Sequence, residues 1–388
     1  MNDTKYHFDK VQDFAGFAVE NAKPGDMVPV LMSAILTSDD QNFHKYAETI
    51  SNVYLNKTGV FLNLVHQFLV VIHENLSCDI YVNDFQVAYE IHLKRDVKKG
   101  EVLKLKDVAD IKRVKFPEIT ITEMDKIIYC FKVGWRFGLY FDVIPRVQND
   151  NIPDNIKVEK LDIEKMMISI GALYRHLTFY DVYSTLQSKA QFEEMKKDGW
   201  FPFIEMLPDD YNNLSKIYQN RFDFENRIMG IVNSYNETRI HNITERWWKN
   251  QFFFEKKTLI EAGVNAYLQN TQEGFINCIK NLSTEMEGLL RLVYFEDTSK
   301  GNNVKSNELI SHIINKARSK SGSDFSLLFP IHFLEYLQNE IFANFNFETG
   351  NINLSRHSSS HGAVAATKYT KGRALQFILI LDQIYFYI

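Results

Sequence analysis

Proline and glycine are scarce in this chain, with 8 and 17 residues among 388. A chain so short of helix and strand breakers is not a low-complexity or disordered polymer, and it predicts well-packed regular elements. Cysteine is rarer still. Cys78, Cys130 and Cys278 are widely spaced and odd in number. They form no Cys-x-x-Cys pair, which excludes a disulfide framework or a zinc knuckle and predicts buried, reduced thiols. An excess of positive charge is also missing. The formal net charge is −5, so the molecule as a whole is not a polycation, and any nucleic-acid contact must come from a local patch. Long apolar runs are absent too. Ala374–Ile388 is the most apolar stretch, but it is too short to span a bilayer and is interrupted by Asp382 and Gln383, so it predicts a buried helix. Residues Met1–Phe8 have no apolar signal region, and the expectation is a cytoplasmic protein. Gly-x4-Gly-Lys-Ser/Thr, Gly-x-Gly-x-x-Gly and Gly-x-Ser-x-Gly do not occur, which argues against a nucleotide motor, a dinucleotide enzyme or a common serine hydrolase.

Large apolar and aromatic residues are plentiful, with 30 Phe and 19 Tyr. The length favours two domains, or two and a connector. Residues 1–150 read as a strand-rich N-terminal domain. Alternation of apolar residues from Ile80 to Leu93 about Asn83-Asp84 predicts a hairpin, and Ile127–Phe141 predicts a second one turning near Gly134. Phe43–Leu55 predicts a helix, whereas the run Val60–Ile72 fits helix or strand. Lys98-Lys99-Gly100 marks a turn. The polar stretch Gln148–Asn155 is the best boundary. Beyond it the periodicity is helical: a connector over 151–225, with Asp162 capping its first helix, then a bundle over 226–388. Tyr211–Leu268 reads as a series of long helices, about three. Further helices fall at Gln272–Val293, Asn307–Arg318, Phe333–Phe345 with Pro330 in the first turn, and Gly372–Tyr387. The fold class expected is α+β.

Near the C-terminus stands Arg356-His357-Ser358-Ser359-Ser360-His361-Gly362. Cutting RNA without a metal needs a base for the 2′-hydroxyl, a cation for the charge on phosphorus, and an acid for the leaving oxygen. Histidine titrates near neutrality, and arginine grips phosphate in a fork. On an ideal helix Arg356 and His361 point roughly 140° apart, so a kink or helix end must bring them together. Gly362 would let the chain leave that turn. The three serines could leave room for a nucleic-acid backbone or be surface filler. On helical spacing, Glu287 and Arg291 stand four residues apart and share one face. They read either as an ordinary helix-face pair or as support for Arg356.

This segment resembles the Arg-x4–6-His signature of HEPN domains, all-helical modules that often act as metal-independent ribonucleases. A polar residue follows the arginine in that family, as His357 does here, and a small one follows the histidine, as Gly362 does. The signature precedes the last long helix, here Ala374–Tyr387. Glu287-Gly288-Leu289-Leu290-Arg291 resembles part of an earlier bundle helix. The resemblance covers about residues 226–388. It implies that Arg356 stabilises phosphate charge, that His361 is general acid or base, and that His357 orients or assists. It also implies a homodimer with a composite site, RNA as substrate and a 2′,3′-cyclic phosphate as product, with no metal or other cofactor. Proteins of this kind are often toxins or antiviral effectors, in which case residues 1–150 would restrain the nuclease or sense a trigger. The alternative is a non-catalytic helical module that binds RNA, a nucleotide or a protein.

Other features carry weaker expectations. Lys94–Lys115 is rich in basic residues, but Asp96, Glu101, Asp107 and Asp110 are interleaved with them, as on a solvated rim. Of Trp247 and Trp248, side by side on a helix, at least one should be core. His66 and His73 are seven apart and could share a helix face, but two histidines alone make a poor metal site, and they are expected in the core rather than on a metal. Arg175-His176 stands without a supporting motif.

Overall fold

The computed structural model describes residues 5–12, 16–146, 160–301, 303–344, 355–360 and 362–388. Its strands are β1 (Lys5–Phe8), β2 (Phe17–Ala18), β3 (Val30–Leu31), β4 (Ser33–Thr37), β5 (Gln67–Ile72), β6 (Cys78–Val82), β7 (Ala88–Leu93), β8 (Val108–Lys115), β9 (Lys126–Val133) and β10 (Arg136–Asp142). Helix α1 (Phe43–Val53) lies among them, and α2 (Ile163–Thr178) follows them. Next come α3 (Tyr180–Gln187), α4 (Lys189–Lys197), α5 (Asp209–Gln219), α6 (Phe224–Ser234), α7 (Glu237–Trp247), α8 (Gln251–Glu255) and α9 (Lys257–Leu268). The series ends with α10 (Gln272–Thr298), α11 (Ser306–Ser321), α12 (Pro330–Tyr336), α13 (Arg356–Ser360) and α14 (Lys371–Tyr387). The fold is α+β, strands first and helices after.

The chain forms two compact units. The first comprises 1–91 and 111–180, and the second 92–110 and 181–388. The first is built on an antiparallel sheet in the order β1-β6-β5-β9-β10-β4. Both faces of this sheet are covered. Phe68, Val70, Ile72, Ile128, Cys130, Leu139 and Phe141 turn to one core, which includes Phe43, Tyr46 and Ile50 of α1. Their neighbours Leu69, Val71, Ile127, Tyr129, Phe131 and Tyr140 turn to the other, with Met166, Ile170, Leu173 and Leu177 of α2. Period-two alternation therefore sorts residues between two apolar cores rather than between core and water. That is why Val60–Ile72 shows no helix-or-strand preference in sequence: its second half is β5, buried on both sides.

Several sequence expectations hold. The 127–141 hairpin is β9–β10, α1 begins at Phe43, and Asp162 accepts a hydrogen bond from Lys165 N (2.9 Å) at the start of α2. Lys98–Gly100 is a turn, closed by Glu101 N on Lys98 O (3.0 Å). The hairpin expected over Ile80–Leu93 is not present: β6 pairs with β1 and β5, while β7 pairs with β8. Asn83 has φ +59°, but its side chain accepts from His66 N (2.7 Å) and donates to Leu64 O (3.0 Å), tying it to the chain before β5. The region 211–268 is cut into five shorter helices, α5 to α9. Asn236, Asn250 and Lys256 stand at successive helix starts there. The expected linker at 148–155 lies outside the described residues. The compact units are also drawn differently from the boundaries 150 and 225: α2 belongs with the sheet because its apolar face closes the second core. His66 is exposed and His73 only partly buried, bonded through its ring to Asp125 (2.8 Å) and Asp79 (3.4 Å), so neither is core packing.

In the second unit α14 is enclosed on nearly all sides. Its buried polar residues are each satisfied. Gln383 accepts from Ile204 N (2.9 Å) and donates to Leu328 O (3.0 Å). Gln376 donates to Asp198 O (2.9 Å). Asp382 accepts from Trp247 Nε1 (2.8 Å) and from Arg246 Nε (3.0 Å) and Nη2 (2.6 Å). Trp247 is thus the core member of the tryptophan pair. All three cysteines are free and buried, and burial raises each thiol well above its ordinary range, Cys78 and Cys130 to about 12. Among the described residues no helix is long and apolar enough to cross a membrane.

Removing the Asp382 carboxylate leaves a buried indole N–H unpaired and takes from Arg246 one of its two buried carboxylate partners. Asp382→Ala should therefore lower the unfolding free energy by about 3–5 kcal/mol, read from urea titrations. In the first unit, a Cβ on Gly171 would fall 2.5 Å from the Arg113 Cα of β8. Gly171→Ala should therefore cost about 1–3 kcal/mol by pushing α2 off the strand.

Candidate functional site

Helix α10 presents Leu282, Met286, Leu289, Leu290 and Val293 to the core, each fully buried. That stripe sets the rotation of the helix and places Glu287 at the buried edge of its polar side. Glu287 is 7% exposed. Its Oε1 accepts from Arg291 Nε (3.0 Å) and Nη2 (2.7 Å), one turn on. Its Oε2 meets Nη2 of Arg356 in a very short ion pair. Glu287 thus forms a helix-face pair with Arg291, and the same carboxylate also contacts Arg356. Arg291 extends further, donating to Val304 O (3.2 Å).

Arg356 opens the short helix α13, which packs against α10. The serines around it form the turn. Ser355 Oγ accepts from Ser358 N (3.2 Å), and Ser358 Oγ accepts from Ser355 N (2.8 Å), a reciprocal cap on the helix start. Ser355 Oγ also donates to Ala343 O (2.9 Å). Ser358 and Ser359 are buried, so they are not surface filler: their small side chains let the helix lie close against its neighbours. Gly362, at φ +66°, ends the helix. Its N–H reaches Ser359 O (3.2 Å), and Ala363 N reaches Ser358 O (3.0 Å). The exit expected of Gly362 is thus found.

The Arg356 side chain is about one-quarter exposed. Nη1 donates to Nδ1 of His357 (3.4 Å), and Nε is buried with no hydrogen-bond partner among the described residues. One carboxylate stands between two guanidiniums, so the cluster keeps one positive charge overall. An arginine held this way is pre-oriented. His361 lies outside the described residues. Arg356, His357, Glu287 and Arg291 are brought together, and Arg175 is buried in the first unit, where it donates to Ile111 O.

Sequence reasoning left out a second charged group. Arg246 bonds both Asp382 and Glu205 (2.8 Å to the latter), and Arg239 reaches Glu205 (3.2 Å) and Asp210 (2.8 Å). Three cations, Arg246 foremost, then Lys94 and Arg239, hold the Glu205 carboxyl below its usual range against the opposing effect of burial. The available signal was Asp382 itself, a carboxylate inside an otherwise apolar helix.

No family model matches the chain, and neither the curated proteins nor the solved structures contain a significant match to it.

Glu287→Ala removes the carboxylate between two cations and should cost about 1–3 kcal/mol. Arg291→Ala, at an arginine side chain 42% exposed, should cost under about 1 kcal/mol. Thermal or urea unfolding of the two variants separates them; equal losses would mean that Glu287 does not act through Arg356.

Proposed function

We propose that the chain is an endoribonuclease of the metal-independent kind, acting through Arg356 and His361. The observation that supports this reading is the seating of Arg356. Its guanidinium is gripped on one side by the buried Glu287 carboxylate, leans on His357, and stands in a tight serine turn that leads toward α14. Phosphoryl transfer asks for a cation fixed before the substrate arrives, because a pre-oriented charge costs no reorganisation as the phosphorane forms. Arg356 would hold the non-bridging oxygens, and His361 would move the proton to or from the ribose or leaving oxygen. His357, touching Arg356, would steady it. Glu287 and Arg291 act through Arg356 and are positioning residues. Since one chain carries one such set, the proposal includes a homodimer in which two sets face one RNA. It also includes a restraining or trigger-sensing role for the strand-rich unit, as fits a toxin or antiviral effector.

Labelled single-stranded RNA incubated with the purified protein in EDTA tests this. Cleavage ending in a 2′,3′-cyclic phosphate is expected, and Arg356→Ala and His361→Ala should each reduce it at least 100-fold with the circular dichroism spectrum unchanged. Glu287→Gln should lower the rate by a smaller factor. Cleavage surviving in both alanine variants would remove these residues from the mechanism. Tight RNA binding without cleavage would turn the assignment to a non-catalytic binding module.

A further inference from the structure

The second unit contains an open cleft of about 830 Å³, a size suited to a small organic ligand. Its walls are the segments around Lys94 and Lys106, the start of α5, the polar side of α7, and Tyr385 of α14. Most of its charge is already paired. Arg95 holds Asp107 (2.8 Å) and Lys249 holds Asp96. Arg239 and Arg246 are engaged with Glu205, Asp210 and Asp382.

Lys94 is an exception. It is 7% exposed, and its ammonium donates to the Leu207 carbonyl (2.6 Å). It forms no ion pair among the described residues. An ammonium has three N–H donors, so two are left unmatched in the wall of a cavity. Burial is the main reason its affinity for a proton falls, to a pKa of about 8. Arg246 and Arg239 lower it further, while Glu205 and Asp382 oppose them. Lysine is seldom buried unpaired, and a group kept at such cost at the edge of a cavity points to a bound counter-charge. Lys106, exposed, lines the same cleft.

We propose that this cleft binds a small phosphorylated molecule, its phosphate on Lys94 and Lys106. The arginines, which would grip a planar carboxylate in a fork, are occupied by protein carboxylates. The free cations are ammoniums, point charges that suit the several oxygens of a tetrahedral phosphate. The volume exceeds a lone phosphate, and Asn242, Glu245 and Tyr385 offer hydrogen bonds and a ring face to an organic body. Asp209, Asp210 and Glu245 on the same walls oppose a polyanion, so a single phosphate ester fits better than a nucleic-acid backbone. The proposal does not rest on the ribonuclease reading, since it uses none of the residues around Arg356.

Titration calorimetry on the full chain, with inorganic phosphate, ribose 5-phosphate and AMP as probes, tests it. At least one ester should bind at least tenfold more tightly than inorganic phosphate. Lys94→Met should weaken that binding at least tenfold, and Lys106→Ala, a surface change that leaves folding intact, about threefold or more. Binding should also weaken between pH 7 and 9, where Lys94, faced by Glu205, Asp382, Arg239 and Arg246, loses its proton. No binding of any probe would overturn the proposal. So would unchanged affinity in the Lys106→Ala protein together with unchanged affinity in Lys94→Met. Inorganic phosphate binding as tightly as both esters would overturn the assignment of an organic phosphate.

Discussion

Enclosing α14 imposes the strictest condition in the second unit. A helix with no wet side cannot leave polar groups unmatched, because each unpaired group would cost as much as several buried methylenes return. Gln376, Asp382 and Gln383 meet that condition by reaching Asp198, Trp247 with Arg246, and Ile204 with Leu328. These contacts orient the segments around α14 as well as satisfying it. Apolar packing alone would tolerate some rotation of the helix, whereas directional hydrogen bonds would not.

The same logic extends to Glu287 on α10, which packs against α14. Its stripe of buried leucines fixes the rotation of α10, and that rotation presents the carboxylate to Arg356 rather than to water. Buried charge is acceptable here because two cations share it. Lys94 shows the opposite situation, a buried cation with a single carbonyl acceptor. The contrast separates a charge that is complete within the protein from one that is not.

Much of the fold can be read directly from the chain. The β9–β10 hairpin has two residues between its strands, so a local turn signal is enough to specify it. The cap at Asp162 and the exit at Gly362 depend on the backbone within three or four residues. The α10 stripe follows from a 3.6-residue period. The Ile80–Leu93 segment has the alternation of a hairpin but not the pairing. Strand β6 finds its partners in residues 5–8 and 68–72, and Asn83 spends its side chain on the chain before β5. Alternation reports that a segment is extended and which residues share a face; it carries no information about the neighbouring strand.

The α+β class, the order of strands and helices, the buried final helix, and Arg356 with Glu287 as residues of interest are all legible along the chain. Each of these rests on local period, local turn chemistry or residue type. Long-range packing decided that the second oxygen of Glu287 reaches Arg356, that Ser358 and Ser359 are buried, and that Arg246 meets Asp382. It also decided that Lys94 lines a cleft with donors to spare. Those contacts join positions up to 136 residues apart, and their existence depends on how whole elements pack, which no short window of sequence encodes.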